Sequence, residues 1–540
     1  MKRPFRALRH RGPRSSYDAV VIGAGIGGLV CANLLAREGL SVLLIEQHYM
    51  VGGYCSTFRR AGYTFDAATH FYPLLGNPAT LTGRLLTELG IETEWVRMDP
   101  VDTFHLPDGS RFTVPADFDA YRQKLAAHFP EQVGALEEFF TKVREAYTAG
   151  LLYYFRGNRG SRLERLNHLT LAEVIDRHFS DERLKLILTA DCAHWGSPPS
   201  RTSFVFDSML RLSYFLGNYY PLRGSQAFAD ELAWRFEERG GDILMSTRAD
   251  RIATEGSGGR VSAVEMTTTR GPLSGAHCVR TPVVVSNADL LLTLEGLLSR
   301  EAVDQRVIEA TRALRPTFPC FLTHIGLRGV ARPLLEEAQG YYWSEWDSEG
   351  VGGDALIGKI FIPTLYAPGM APDGGQIAIL QKVLDIEVEA IEDWASHKAQ
   401  VEARLLAHFE RVLPGIRDRI VVMSSATART AERFTLNHRG AMLGWEMSPS
   451  QLGEARPGLE GPVPGLFRVG HWVAPGGGIT PVIVSAMRVA KLICGGLMVG
   501  GDGDSHPNGG RRLESIFGPR GAAGPSRNGS VSHGGESVSR

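Results

Sequence analysis

The chain has 540 residues, 58 basic against 59 acidic, a formal charge of −1, and 43% hydrophobic and 22% charged residues. That is the composition of a folded chain long enough for more than one domain, which excludes fibrous and wholly disordered classes. The balanced charge gives no support for nucleic-acid binding, and no apolar run reaches the roughly 18 residues of a membrane-spanning helix.

Residues 1–16 carry six Lys or Arg and no acid. A solvated, disordered tail is the plain reading. Contact with anionic lipid and an organellar transit peptide are the alternatives, and the stretch lacks the apolar segment of a secretory signal. The first ordered element is predicted over 17–23. Its centre, Ala19-Val20-Val21-Ile22, is a continuous apolar run, as expected of a parallel strand buried on both faces. Gly23-Ala24-Gly25-Ile26-Gly27-Gly28 follows. A helix then runs through Leu29, Ala32, Leu35 and Ala36 and stops at Gly39. A second buried strand over 41–45 ends at Glu46, which completes one strand–helix–strand unit.

Residues 77–215 read as mostly helical and rich in aromatics. An amphipathic helix is predicted over 227–239, strands over 243–252 and 261–268, and a short buried strand over 282–286. Residues 300–463 mix strands such as 377–383 with a long helix over 387–412. A last strand over 466–470 and a helix over 479–494 precede a tail from 500 on, rich in Gly, Ser, Pro and Arg, which cannot bury enough surface to fold. The predicted fold class is α/β. A Rossmann-type dinucleotide domain is assembled from 17–76, 217–299 and 464–499, and an α+β substrate domain is inserted as 77–216 and 300–463.

The glycine loop gains force from its setting: a buried strand before it, a helix after it, and an acid at the end of the next strand. Gly23 allows the tight turn and Gly25 lets the backbone approach a pyrophosphate. Gly27 belongs to the same loop, and Gly28 allows the helix to pack on the strand. The helix N-terminus offers partial positive charge to phosphates. Glu46 would accept hydrogen bonds from ribose hydroxyls and repel a 2′-phosphate. The six cysteines lack CxxC spacing, so no zinc or redox motif is predicted and a reducing, cytoplasmic compartment is expected. His70, His194, His324 and His471 lack metal-ligand spacing and read by default as satisfied structural residues; no metal is expected.

The segment after Glu46 separates the dinucleotides. Gly52-Gly53 lets a second loop pass close to the phosphates. With Gly62-Tyr63-Thr64-Phe65-Asp66, the chain resembles flavin enzymes of the amine-oxidase and phytoene-desaturase superfamily. Further points of resemblance are 220–226, the strand around Ala249, Val284-Val285-Ser286-Asn287-Ala288-Asp289, and Gly470-His471 followed by Gly476-Gly477-Gly478. Phe65-Asp66 with Thr69-His70-Phe71 is most similar to the carotenoid isomerase and retinol saturase branch. Departures from that pattern are Tyr54 for a usual Arg, Ala68 for a Gly, and His471 for an Asp that bonds the ribityl chain.

The resemblance implies FAD, bound non-covalently since no Ser-Gly-Gly-Cys tether is present. Gly477, Gly478 and Ile479 would set a helix N-terminus against the flavin. It implies a hydrophobic substrate, an isoprenoid polyene, that is desaturated, saturated or isomerised, with isomerisation or saturation of an already conjugated chain favoured. Desaturation would need a quinone or another electron acceptor. His70 and Tyr72 are the candidate proton acceptors. Aromatic clusters at 153–155, 214–215, 219–220 and 341–343 are candidate tunnel walls, and the mouth is expected peripherally on a membrane surface. The alternatives are an amine or porphyrinogen-type oxidase on a compact substrate, and a non-catalytic FAD-bearing lipid-binding protein.

Overall fold

The computed structural model describes residues 8, 12–68, 70–156, 161–256 and 259–495. Thr69, the tail from 500 on, most of 1–16 and the side chains of Tyr154 and Phe155 lie outside the described residues. The end of the basic stretch is tied down: Arg14 pairs with Asp242 at 3.2 Å, and Ser15 O accepts from Arg280 N at 3.1 Å. A polar anchor therefore carries order further back than residue 17.

Five parallel strands form the first sheet, in the order Leu466–Arg468, Val284–Ser286, Ala19–Ile22, Val42–Ile45, Asp242–Leu244. Every residue of Ala19–Ile22 and Val42–Ile45 is buried, as their continuous apolar runs require. Each such aliphatic side chain contributes roughly 1.5–3 kcal/mol by leaving water. Helices Ile26–Arg37, Ser225–Glu238 and Ile479–Cys494 pack together beside this sheet. On its other face lies a three-stranded antiparallel sheet, Thr247–Thr254, Val261–Thr268 and Gly275–Arg280. Its Ile252, Val264 and Val279 join Val20, Leu43 and Leu244 in one core. The strand order reverses beside Ala19–Ile22, the place where open parallel sheets bind ligands.

The second sheet has seven strands: Ile420–Ala426, Cys320–Arg328, Gly375–Val383, Leu356–Phe361, Gly340–Trp343, Asp102–His105 and Arg111–Val114. It is antiparallel except where Gly340–Trp343 runs parallel to Asp102–His105. Side chains alternate between its faces. Phe321, Ile325, Ile360 and Leu380 meet Val401, Leu405 and Phe409 of helix Trp394–Val412. Leu322, His324, Lys359 and Gln381 point the other way, into a cavity.

Three predicted elements change. The strand expected over 243–252 is two strands in different sheets, divided at Ser246, which has φ +52° and donates its N–H to His48 O. No Gly or Pro marks that turn in the sequence. The helix expected from 387 begins at Trp394, because the Asp393 side chain caps the N–H groups of Ala395 and Ser396 at 3.0 Å. The region 77–215 is not only helical: Asp102–His105 and Arg111–Val114 form an edge hairpin of the second sheet.

Candidate active site

One cavity of about 980 Å³ reaches from the glycine loop to the second sheet. It lies at the upper end of the roughly 300–1,000 Å³ range of ligand sites. Gly25, Gly27, Glu46, Gly52, Gly53 and Ala249 border one half, together with Gly470, His471, Gly478 and Ile479. Gly23, Gly28 and Gly477 do not border it. A Cβ on Gly28 would stand 2.0 Å from Gly23 O, and one on Gly477 2.1 Å from Leu443 O. Both positions serve backbone packing behind the wall.

Asn287 sits among the glycines and was not singled out from the sequence. Its amide nitrogen faces Gly23 O at 3.4 Å. A Cβ on Gly25, Gly27 or Gly470 would come within 2.7–2.8 Å of its side-chain amide. The signal was present in the Ser286-Asn287-Ala288 turn that ends the return strand. The second glycine loop passes close as expected: Gly52 N donates to Ala24 O at 2.8 Å, and a Cβ on Gly53 would lie 3.4 Å from Gly25 Cα. Gly52 and Gly53 hold φ of +113° and +59°, a region that favours glycine.

Helix ends distinguish this half of the cavity. Helices Leu81–Glu88, Phe118–His128, Leu171–His178 and Phe204–Gly217 are capped by the side chains of Thr80, Asp117, Thr170 and Ser203. Helices Ile26–Arg37 and Ile479–Cys494 start at Gly25 and Gly478 with no side-chain cap and no acid in the first turn. A side-chain cap is worth about 1 kcal/mol. Helices Ser225–Glu238 and Arg332–Ala338 also lack a side-chain cap, but it is Gly25 with Ile26 and Gly478 with Ile479 that border the cavity, where the N–H groups of these two helix starts suit an anionic ligand.

Glu46 accepts from Ala24 N at 2.7 Å and His48 N at 2.8 Å. Burial pushes its carboxyl up, and these amides pull it back. His471 faces Asn437 Oδ1 with Nε2 at 3.1 Å. Burial pushes its pKa down to about 3, so the ring is neutral where the resemblance would put a carboxylate. Tyr54, another departure, also lines the cavity and donates to Ala441 O at 3.0 Å.

The other half is built by side chains. Phe71, Tyr214, Leu322 and Tyr341 give it apolar and aromatic walls. Of the predicted aromatic clusters, Tyr214 and Tyr341 face it, while Tyr153, Phe215, Tyr219, Tyr220, Tyr342 and Trp343 do not. Tyr72 does not face it either. Its hydroxyl donates to Ser225 Oγ at 2.6 Å, and burial raises it well above the ordinary tyrosine range. The segment is irregular here: His70 and Phe71 both reach the cavity, and Tyr72 turns into the core with Trp95 and Phe228.

All four histidines read as structural border the cavity. His70 Nδ1 lies 3.0 Å from Gln381 Oε1, and its buried Nε2 has no partner. Burial, helped by Lys359, pushes its pKa down to about 3. The ring is therefore neutral, a hydrogen-bond acceptor and a poor base at neutral pH. His324 is held by the carbonyls of Asp66 at 3.0 Å and Ser424 at 3.3 Å.

The strongest feature escaped sequence reading altogether. Lys359 is 2% exposed and donates from Nζ to Asp102 Oδ2 at 2.7 Å. His194 Nε2 meets the same oxygen at 3.0 Å, and His194 Nδ1 meets the Tyr214 hydroxyl at 2.8 Å. Burial pushes the lysine below its usual range in spite of Asp102. Burial opposes the charge of Asp102 too, but the Lys359 ammonium outweighs it and holds the carboxyl low. Asp102 comes from a region predicted helical and Lys359 from a strand 257 residues away, so no local pattern joined them.

Among the described residues, no group of three or more His, Cys, Asp or Glu could hold a metal, and no helix is long and apolar enough to cross a membrane.

Residues 26–494 match the model of the flavin containing amine oxidoreductase family. A neurosporene-forming phytoene desaturase of Cereibacter sphaeroides is 26% identical, over 89% of this chain and 95% of its own length. Prolycopene isomerase 1, chloroplastic, of an Oncidium hybrid cultivar is 25% identical over 89% and 84%. All-trans-retinol 13,14-reductase of Danio rerio is 24% identical over 79% and 77%. Among solved structures, an oxidoreductase from Methanosarcina mazei has a TM-score of 0.61 at 19% identity, covering 88% of this chain and 99% of its own. Putrescine oxidase bound to putrescine has a TM-score of 0.62 at 15% identity, covering 89% and 100%. These structures share the Rossmann-type fold. The glycine loops, the two uncapped helix ends and the length of the cavity fit a flavin cofactor. The chain is a flavin-dependent oxidoreductase and belongs to the flavin containing amine oxidoreductase family.

Proposed function

We propose that the protein binds FAD non-covalently and acts on a carotenoid, retinoid or related isoprenoid polyene, desaturating, saturating or isomerising C=C bonds. One observation carries this reading: a single cavity joins the glycine loop to a long apolar and aromatic wall. When bound, the flavin supplies hydride exchange at its ring. The chain's own residues do the rest. Gly25, Gly27 and Gly53 let the backbone close on a pyrophosphate, Glu46 receives ribose hydroxyls, and Gly478 and Ile479 present uncapped N–H groups to the ring system. Phe71, Tyr214, Leu322 and Tyr341 hold an extended hydrocarbon and exclude water. Burial pushes the cavity-lining Cys320 thiol up to about 12, which keeps it protonated and a poor nucleophile for tethering a cofactor.

An amine substrate is disfavoured by the same wall. Phe71, Tyr341 and Phe361 surround a cation, but it is the ammonium of Lys359, 4.1, 4.4 and 5.8 Å from the three ring centroids. The aromatic box is already filled. We assign 17–76, 217–299 and 464–499 to FAD and 77–216 and 300–463 to substrate. We also place the mouth against a membrane surface. Tyr49, Phe434 and Leu436 are 59%, 49% and 40% exposed on the cavity rim beside exposed Arg59 and Arg60, a mixture suited to an anionic lipid interface.

Purified protein should be yellow and release intact FAD on heating. Incubation with phytoene, poly-cis lycopene and retinol, under air, with quinone, and after anaerobic reduction, should convert at least one conjugated polyene. Conversion only with acceptor identifies desaturation, stoichiometric loss of reduced flavin identifies saturation, and turnover of reduced enzyme without loss identifies isomerisation. Oxidation of a primary amine with no polyene converted in any redox state would overturn the reading.

A further inference from the structure

A pure hydrocarbon needs no polar partner, yet the substrate half of the cavity carries a buried ammonium and a buried bare nitrogen. Lys359 and Gln381 are directly opposed in the antiparallel register of Leu356–Phe361 and Gly375–Val383, so their side chains share one face. Gln381 in turn holds His70. Both groups also flank one ring: His70 lies 4.7 Å from Phe361 centroid to centroid, and Lys359 Nζ 5.8 Å from it. A lysine ammonium has three N–H groups. Asp102 takes one, and no other hydrogen bond from Nζ is formed among the described residues. The remaining N–H groups look onto Phe71, Tyr341 and the cavity.

His70 supplies the complement. The Gln381 carbonyl oxygen only accepts, so Nδ1 carries the ring proton and the unpartnered Nε2 is an acceptor. Donor and acceptor thus border the same cavity and the same Phe361 ring, and each loses free energy while unpaired. The charge around them selects further. Asp102, Asp191 and Asp207 are set against Lys359 and Arg211; Asp191 lies 3.9 Å from His194 and 3.7 Å from Arg211, and Arg211 pairs with Asp207 at 2.8 Å. Three carboxylates against two cations disfavour an anionic end group.

We propose that Lys359 and His70 form a subsite for a neutral hydroxyl at the end of the apolar substrate, its oxygen accepting from Lys359 Nζ and its proton donated to His70 Nε2. The substrate class narrows to hydroxylated polyenes. This rests on the polyene reading above. Asp102, His194 and Tyr214 act as positioning residues, with Asp102 fixing the ammonium, His194 fixing Asp102 and Tyr214 fixing His194.

The test is equilibrium binding of four matched retinoids to the flavin-loaded protein: the alcohol, the aldehyde, the acid, and the hydrocarbon without oxygen. The alcohol should bind about tenfold or more tightly than the hydrocarbon, with the aldehyde between them and the acid weaker than the alcohol. A Lys359→Met, Asp102→Asn double variant, which leaves no buried charge unpaired, should narrow the preference for alcohol over hydrocarbon to the part that His70 Nε2 supplies, and adding His70→Phe should abolish it. His70→Phe should weaken the alcohol and leave the aldehyde unchanged. Flavin absorbance and thermal midpoint report whether each variant is folded. Equal binding of alcohol and hydrocarbon by the unaltered protein, or tightest binding of the acid, would overturn the subsite and leave the polyene reading standing. Binding of none of the four would overturn both.

Discussion

The two halves of the cavity are made by different means. Backbone shapes the nucleotide half: glycines admit Asn287 and a neighbouring loop, and two helices end without side-chain caps. Side chains shape the other half: a lysine, an aspartate and several histidines from segments far apart in the chain converge on an aromatic wall. The first half has little freedom, because a Cβ in the wrong place meets another backbone. The second half can be rewritten one side chain at a time, and a family can keep one cofactor site while changing substrates in this way.

If that contrast holds, the largest effect comes from the backbone half. Gly28→Val places its Cβ against Gly23 O, a contact no side-chain motion relieves. It should yield protein without flavin, read as loss of visible absorbance in the purified fraction. Flavin-loaded protein at ordinary occupancy would break the comparison. Gly25→Val should also empty the site, with a milder effect on folding, since the nearest atom is the end of the Asn287 side chain.

Next in size is the ion pair. Asp102→Ala leaves the Lys359 ammonium buried and unpaired, and should lower stability by about 3–5 kcal/mol in denaturant unfolding. The Lys359→Met, Asp102→Asn double variant should recover most of that loss. Equal loss in both would mean that packing, not charge, dominates here.

A smaller effect follows from the histidines. His70 and His471 are held at about 3 and His324 at about 4, below the roughly 6.5 of an unfolded chain. The fold therefore favours their neutral form. Its contribution is complete above pH 6.5 and is lost as pH falls through 4, at up to about 1.4 kcal/mol per pH unit per histidine. Asp66 works in the opposite sense. Burial raises it to about 6, so its contribution is present below pH 4 and lost as pH rises through 6. His408 is also lowered to about 4, by burial, and burial raises Glu446 to about 7. Four histidines outweigh two carboxyls, so the melting temperature should fall steadily from pH 6.5 to 4.5, less steeply in His70→Gln. A flat profile would contradict the burial described. The smallest effect belongs to the rim, where Phe434→Ser should reduce flotation with anionic vesicles a few-fold, about 1 kcal/mol.

The same contrast separates what the sequence shows from what only the fold brings together. The parallel sheet, the glycine loop, Glu46 and the helix at 479 are local patterns within one strand–helix–strand unit or at its return strands, and periodicity with glycine spacing exposes them. Asn287 was within a recognised segment, but its role depends on three glycines reached only through the fold. Lys359 gave no signal: a single lysine in an apolar strand reads as an edge or solvent-facing residue until Asp102 is seen beside it. Tyr72 was misplaced because nearness to His70 in the chain does not fix where a side chain points in an irregular segment: His70 faces the cavity, while Tyr72 packs on Ser225 and Phe228.

The account stands on the two halves meeting in one working cavity, and titration of the flavin-loaded protein with a hydroxylated polyene, followed through the visible flavin spectrum, tests this most directly. The account predicts a saturable spectral shift with the polyene and none with a short diamine. Bleaching by the diamine, with a spectrum indifferent to the polyene at any concentration, would contradict it.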